Sequence, residues 1–195
     1  MSILVLTSDT LVTAAAGQIE YNGQFFGTDS NASRAQMQRI TSGTAVASTS
    51  GTSIDFTSLP SWIKKITVML NGVSTNGTSI MQIQIGAGSV TTSGYASNAG
   101  YMSNTSVLQA AYTSGFVILN SVTAAFTHNG VITINLLGSN TWCQQGSLGV
   151  QSGGNANFLS AGSLALGGVL DRVRITTVNG TDTFDAGSIN ILYEG

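Results

Sequence analysis

The sequence predicts an all-β protein: an antiparallel β-sandwich, jelly-roll-like, over residues 51–195, behind a short N-terminal arm over residues 1–50. Three observations predict it. The clearest hydrophobic signal has period two, with Met81, Ile83 and Ile85 pointing one way and Gln82 and Gln84 the other, the mark of a half-buried strand. Turn residues, mostly Asn, Gly and Ser, recur every ten to fifteen or so residues between such segments. Helix signals are confined to one short stretch, and the single proline, Pro60, stands just before a long strand, where its missing N–H costs no ladder bond.

In chain order, Ile3–Leu6 reads as a short strand able to join a sheet edge, and Ile19–Phe26 as a compact hairpin around Asn22-Gly23. Ser30–Ile40 has the one helical composition in the protein. Thr41–Thr52 is nearly all Thr, Ser, Ala and Gly and reads as a linker. The strand with Ile66, Val68 and Leu70 on one face and the strand Met81–Ile85 are expected to pair as a hairpin through Asn71-Gly72 and Asn76-Gly77. Residues 87–114 show no strand pattern and read as a long excursion. Strand signals resume at Phe116–Leu119, Val131–Leu137 and Trp142–Val150. Asp171–Val178 and Gly187–Tyr193 form a second expected hairpin around Asn179-Gly180. It echoes the first loosely, as pseudo-equivalent parts of two facing sheets would, or as any two Asn-Gly hairpins do.

Composition narrows the function classes. At 195 residues the chain supplies one ordinary core. Only 7% of it is charged, against about 25% in typical soluble domains. Mean hydropathy is +0.26, and Ser, Thr, Asn and Gly supply the polarity. Such a surface has little self-repulsion and suits an oligomer or a part of a larger assembly. Six basic residues and a net charge of −2 leave no footprint for nucleic acid. The start, Met-Ser-Ile-Leu-Val-Leu, has neither the basic region of a secretion signal nor the length of a membrane span, so the expectation is a product that stays in the cytoplasm where it is made, with no membrane insertion. Cys143 is alone, which excludes an internal disulfide and a cysteine zinc site.

Two passages carry a resemblance. Thr52–Gly77, with Ser53-Ile54-Asp55-Phe56, Leu59-Pro60-Ser61-Trp62, Ile66-Thr67-Val68 and Asn71-Gly72-Val73-Ser74, resembles a domain of tailed-bacteriophage and prophage tail proteins, and Asp182–Glu194 resembles its end. Ala16–Phe26, with Ser33-Arg34 beyond, is similar to the segment that precedes such domains in fibre-like proteins. The resemblance implies a virion structural protein, a tail fibre or related appendage, assembled in the host bacterial cytoplasm. It implies a homotrimer, contacts with other virion proteins, and no catalytic residue or cofactor. A capsid decoration or head-fibre protein is the near alternative, and a carbohydrate-degrading tail enzyme the distant one.

Candidate residues follow from these expectations. Tyr95, Tyr101, Asn104 and Tyr112, set among Ser, Asn and Gly, offer rigid aromatic area with adaptable hydrogen bonding, as a host-surface glycan receptor site would; subunit packing is the other use of such rings. Ile3, Val5, Tyr21, Phe25, Phe26 and Arg34 are the candidates for docking the arm to the virion. His128, beside Asn129-Gly130, reads as a surface turn residue rather than a general base, and one histidine makes no zinc cluster. Asp182 and Asp185 with Asn179 supply oxygen ligands without calcium-loop spacing. No metal site and no catalytic pair of carboxylates is assigned.

Overall fold

The computed structural model describes residues 16–21, 25–31, 33–120, 123–124, 126–150 and 155–195. Among them every regular element is a strand. The chain divides into two compact units, residues 1–39 and 40–195.

In the first unit, β1 (Ile19–Tyr21), β2 (Phe25–Thr28) and β3 (Arg34–Gln36) form a three-stranded antiparallel sheet in that order. Tyr21 lies opposite Phe25, and Thr28 opposite Arg34. The expected β1–β2 pairing is present, whereas the expected helix over Ser30–Ile40 is not. Its composition favours a helix only weakly, and a helix this short is marginal without packing. The carboxylate of Asp29 instead accepts from the Asn31 and Ser33 N–H groups, 2.9 and 2.8 Å away, and turns the chain back along β2.

The second unit holds β4 (Ile40–Ser42), β5 (Val46–Ala47), β6 (Ser53–Thr57), β7 (Lys65–Thr75), β8 (Met81–Ala87), β9 (Ser89–Val90), β10 (Ala96–Ser103), β11 (Val107–Tyr112), β12 (Phe116–Val117), β13 (His128–Gly138), β14 (Thr141–Val150), β15 (Ala156–Ala165), β16 (Arg172–Thr177) and β17 (Phe184–Glu194). They make a nine-stranded sheet, β11-β10-β15-β14-β13-β7-β17-β4 with β5 also on β17, and a five-stranded sheet, β12-β8-β16-β6 with β9 on β8. All pairs are antiparallel, and the architecture is a β-sandwich compatible with the jelly-roll-like expectation. The linker expected at 41–52 is largely sheet edge. Gly43 N–H bonds Ile191 O at 2.7 Å, and the buried Ser48 bonds β17 through both its N–H and its Oγ.

Period two builds the core. Ile66, Val68 and Leu70 of β7, Ile132 and Ile134 of β13, Phe158 of β15, and Ile189 and Ile191 of β17 point inward from the large sheet. Met81, Ile83 and Ile85 of β8, Val173 and Ile175 of β16, and Ile54 and Phe56 of β6 meet them from the small one. Each such side chain contributes about 1.5–3 kcal/mol by leaving water.

The two expected hairpins are absent as hairpins. β7 pairs with β13 and β17, while β8 pairs with β12, β16 and β9, so β7 and β8 lie in different sheets. β16 and β17 are divided in the same way. Each hairpin would have put two apolar faces on one side of one sheet; crossing between sheets lets the two faces cover each other. Asn71-Gly72 is correspondingly no turn. Gly72, with φ +64°, lies within β7 beside Gly187, φ +90°, at register shifts of β17, and a Cβ on Gly187 would overlap the Gly72 backbone.

The two crossovers, residues 76–80 and 178–183, lie side by side. Asn76 N–H bonds Thr183 O and Val178 N–H bonds Ile80 O, both at 2.9 Å. Asp182 accepts from Ser79 N–H at 2.8 Å through Oδ2 and from Asn179 Nδ2 at 2.7 Å through Oδ1. A Cβ on Gly77 would fall on that carboxylate.

His128 is fully buried in β13, not in a surface turn. Its Nδ1 lies 3.1 Å from Val73 O and its ring 5.8 Å from that of Phe158. A carbonyl partner assigns the proton to Nδ1, so Nε2 carries the lone pair, and Nε2 has no hydrogen-bond partner. Burial therefore holds the imidazole below its ordinary pKa.

Three measurements test this core. Asp182→Ala leaves the Ser79 N–H unsatisfied and should lower stability by roughly 1–3 kcal/mol in urea unfolding. Gly77→Ala should destabilise the wild-type background more than the Asp182→Ala background, because the obstructing carboxylate is gone there; equal effects would refute the contact. For His128, the unfolded state binds more protons than the folded one as pH falls from the unfolded pKa towards the lowered folded one. Stability should thus drop on acidification below about pH 6.5, by no more than about 1.4 kcal/mol per pH unit for this one proton. His128→Leu should remove that component of the urea-unfolding pH profile.

Candidate functional site

Residues 87–114 are structured rather than an open excursion. β10 pairs with β15 over its whole length and with β11 on its other side, which makes β11 an edge of the large sheet. This placement separates the four residues expected at a receptor site. Tyr95 is 2% exposed, with its ring 4.8 Å from Phe116 and edge-on to it. Its hydroxyl accepts from Ile85 N–H at 2.8 Å and donates to Thr91 O at 3.0 Å, so it completes β8 where β12 no longer runs alongside. Burial pushes its phenol well above the ordinary range. Tyr95 is a core residue, and the recognition role assigned to it is corrected accordingly. Tyr101 is half-buried, its ring 5.5 Å from Phe158. Tyr112 is half-buried, its hydroxyl 3.4 Å from Asn120 Oδ1.

Asn104 alone of the four is exposed. It sits at the β10–β11 bend, where Ser103 Oγ accepts from the Thr105 and Ser106 N–H groups. Beside it is a hollow of about 430 Å³ lined by Met102, Ser103, Asn104, Val150, Asn155 and Asn157 among others. Its polar groups are mostly amides.

The docking candidates fall in the first unit as far as they are described; Ile3 and Val5 lie outside the described residues. Tyr21 and Phe25 pack with ring centroids 5.0 Å apart, tilted at 45°, on one face of the small sheet. Ile19, Phe25 and Met37 are exposed, at 65, 46 and 45%. Phe26 sits one residue along from Phe25 and hence on the other face, together with the Arg34–Glu20 ion pair that spans β2. Sequence reasoning found the residues but not their division between two faces.

The acids are committed to structure. Of the eight in the chain, Asp9 lies outside the described residues. Glu20, Asp55, Asp171 and Glu194 pair with Arg34, Arg174, Arg172 and Lys65. Asp29 and Asp182 accept from backbone N–H groups, and Asp185 accepts from Ser74 Oγ. The Arg172 hydrogen bond holds Asp171 below the usual carboxylate range. Asp182 and Asp185 thus serve separate contacts, and no group of three or more His, Cys, Asp or Glu able to hold a metal occurs among the described residues.

A site that sequence reasoning missed lies on the outer face of the five-stranded sheet. A depression of about 340 Å³ is lined there by Gln82 and Gln84 of β8, Arg174 and Thr176 of β16, Ser53 of β6 and Ser114, with the turn at 178–180 beside it. The alternation in β8 marked the two glutamines as outward-facing. What it did not contain is the segment at Ser114 that folds over them.

No protein-family model matches this chain, and the search of curated proteins returns no match to it.

Proposed function

We propose that the chain is a virion structural protein of a tailed bacteriophage, a tail fibre or related appendage. It docks to the particle through its N-terminal unit and presents its sandwich to a host-surface glycan. The observation that carries this reading is the division of labour in the chain: a small sheet of ten strand residues with an apolar face, and a large, self-contained sandwich with a charge-poor surface. The described strands of that sheet bury too little surface to stand alone, and a particle offers such a sheet a partner. Self-association has its own support. β11 closes the large sheet with Val107 78% and Leu108 53% exposed and with no charge or proline, an edge open to extension by another chain. A homotrimer repeats every weak surface contact three times, which raises avidity without a deep pocket.

The test separates the units at residue 39. A chain of residues 40–195 should keep the cooperative unfolding of the full protein and fail to enter particles, whereas removal through residue 50 should also destabilise the body by stripping β4 and β5 from β17. Normal incorporation of the 40–195 chain would refute the docking role. Light scattering should give the mass of three 20.0 kDa chains for the full protein, and a stable monomer would refute the trimer.

A further inference from the structure

On the outer face of a two-layer sandwich, polar strand residues ordinarily stand in water. Gln82 and Gln84 do not: they are 2 and 6% exposed. Ser114 holds both, donating its Oγ to Gln82 Oε1 at 2.8 Å and accepting Gln84 Nε2 on its carbonyl at 2.9 Å. Because a carbonyl only accepts, the second contact fixes the Gln84 amide with its nitrogen toward Ser114 and its Oε1 turned away. That oxygen accepts from no group among the described residues, and Gln84 lines the depression.

The other walls complement it. Thr176 Oγ1 spends its proton on Thr52 O at 2.8 Å and keeps lone pairs for an incoming donor. Arg174 gives Nε–H and one Nη2–H to Asp55, at 2.7 and 3.1 Å, and the N–H groups of Nη1 remain for an incoming acceptor. Asp55 neutralises the guanidinium, so the rim presents directed donors without net charge. We propose that this depression binds an uncharged polyhydroxylated ligand, the chemistry of a neutral sugar. The inference rests on the reading of the chain as a host-attachment protein and locates the contact on the five-stranded sheet.

Vicinal hydroxyls match these walls because each both donates and accepts: one proton to Gln84 Oε1 or Thr176, one lone pair to Arg174. A carboxylate brings acceptors only and leaves Gln84 Oε1 unpaired, a phosphate is mostly acceptor, and both meet the charge of Asp55. An apolar ligand leaves every group unpaired. The volume is at the small end of the roughly 300–1,000 Å³ range of ligand sites. No aromatic ring is among the residues lining it, so single-site binding is weak and gains from copy number.

The test is a titration of the isotope-labelled full chain, followed by NMR. The probes are a panel of neutral methyl hexosides and N-acetylhexosamines, with glucuronate and inorganic phosphate as anionic probes. At least one neutral sugar should shift the Gln82, Gln84, Ser114 and Thr176 resonances saturably. Arg174→Met, a change at a half-exposed side chain whose fold is checked by its unfolding midpoint, should weaken that binding about tenfold. Gln84→Leu should do the same, with Arg174→Met deciding the matter if Gln84→Leu fails to fold. The proposal is overturned by silence of these resonances across the panel, by binding of the anionic probes alone, by shifts confined to Asn104 and its neighbours, or by undiminished binding in Arg174→Met. A chain that enters particles and adsorbs to cells while this depression stays silent overturns the site and keeps the function. A responsive depression in a chain that never enters particles does the reverse.

Discussion

The sandwich depends on one paired corner. Residues 76–80 carry the chain from the large sheet to the small one, residues 178–183 carry it back, and the two are bonded to each other through backbone groups and through Asp182 and Asn179. Because the crossovers are neighbours, the strands they connect are neighbours as well: β7 lies on β17 in one sheet and β8 on β16 in the other. Pairing at one end of both sheets therefore fixes the relative register of the two layers. The strands meet with Ile66, Val68 and Leu70 facing Ile83, Ile85 and Ile175 across the core. A one-residue slip would turn one of these rows to solvent, so the corner and the core enforce the same register.

A chain with so few charges must satisfy its polar groups by position. It does so with side-chain amides and hydroxyls aimed at backbone. Ser48 stitches the sheet edge to β17, Ser97 Oγ accepts from Val117 N–H at 2.9 Å, and Tyr95 takes the place of a missing strand against Ile85. Gln144 bonds Ser160 at 2.7 Å within the buried face of the large sheet. Each contact is worth about 0.5–1.5 kcal/mol when made, and costs more when one partner is deleted. The interior is thus partly polar yet largely satisfied, and its geometry is more specific than apolar packing alone would require.

Where the sequence was legible, one physical signal dominated. Alternation in β7 and β8 identified strands and their inward faces, since burying one side of a pleat leaves a period of two. Turn residues showed where the chain reverses but not which strand it reverses onto: Asn76-Gly77 and Asn179-Gly180 look like hairpin turns, yet they build a corner, because partner choice is settled by which apolar faces meet. β10 was invisible for a different reason. Ala96, Ser97, Asn98, Ala99 and Gly100 have little intrinsic strand preference, and they are strand because β15 and β11 flank them. The same holds for β3, where pairing with β2 outweighs a weak helical composition. Tyr95 looked like a surface aromatic because its neighbours are Ser and Gly; its burial follows from a hydroxyl partner ten residues away in β8. The depression over Gln82 and Gln84 required five separate segments to converge, which no local pattern encodes.

These constraints bear on how such a protein recognises anything. Every described carboxylate already has a structural partner, and four of the basic side chains are its ion-pair complements. Long-range electrostatic attraction is therefore weak, and association is governed by short-range shape and hydrogen bonding. Groups that serve this purpose must be held rigidly, since a flexible amide loses in ordering entropy what it gains in contact. Gln84 meets that condition: it is nine-tenths buried, its orientation is fixed by Ser114, and its remaining acceptor is uncommitted. A surface of this kind contributes little affinity per site and much geometric selectivity, which is the balance the proposed attachment role requires.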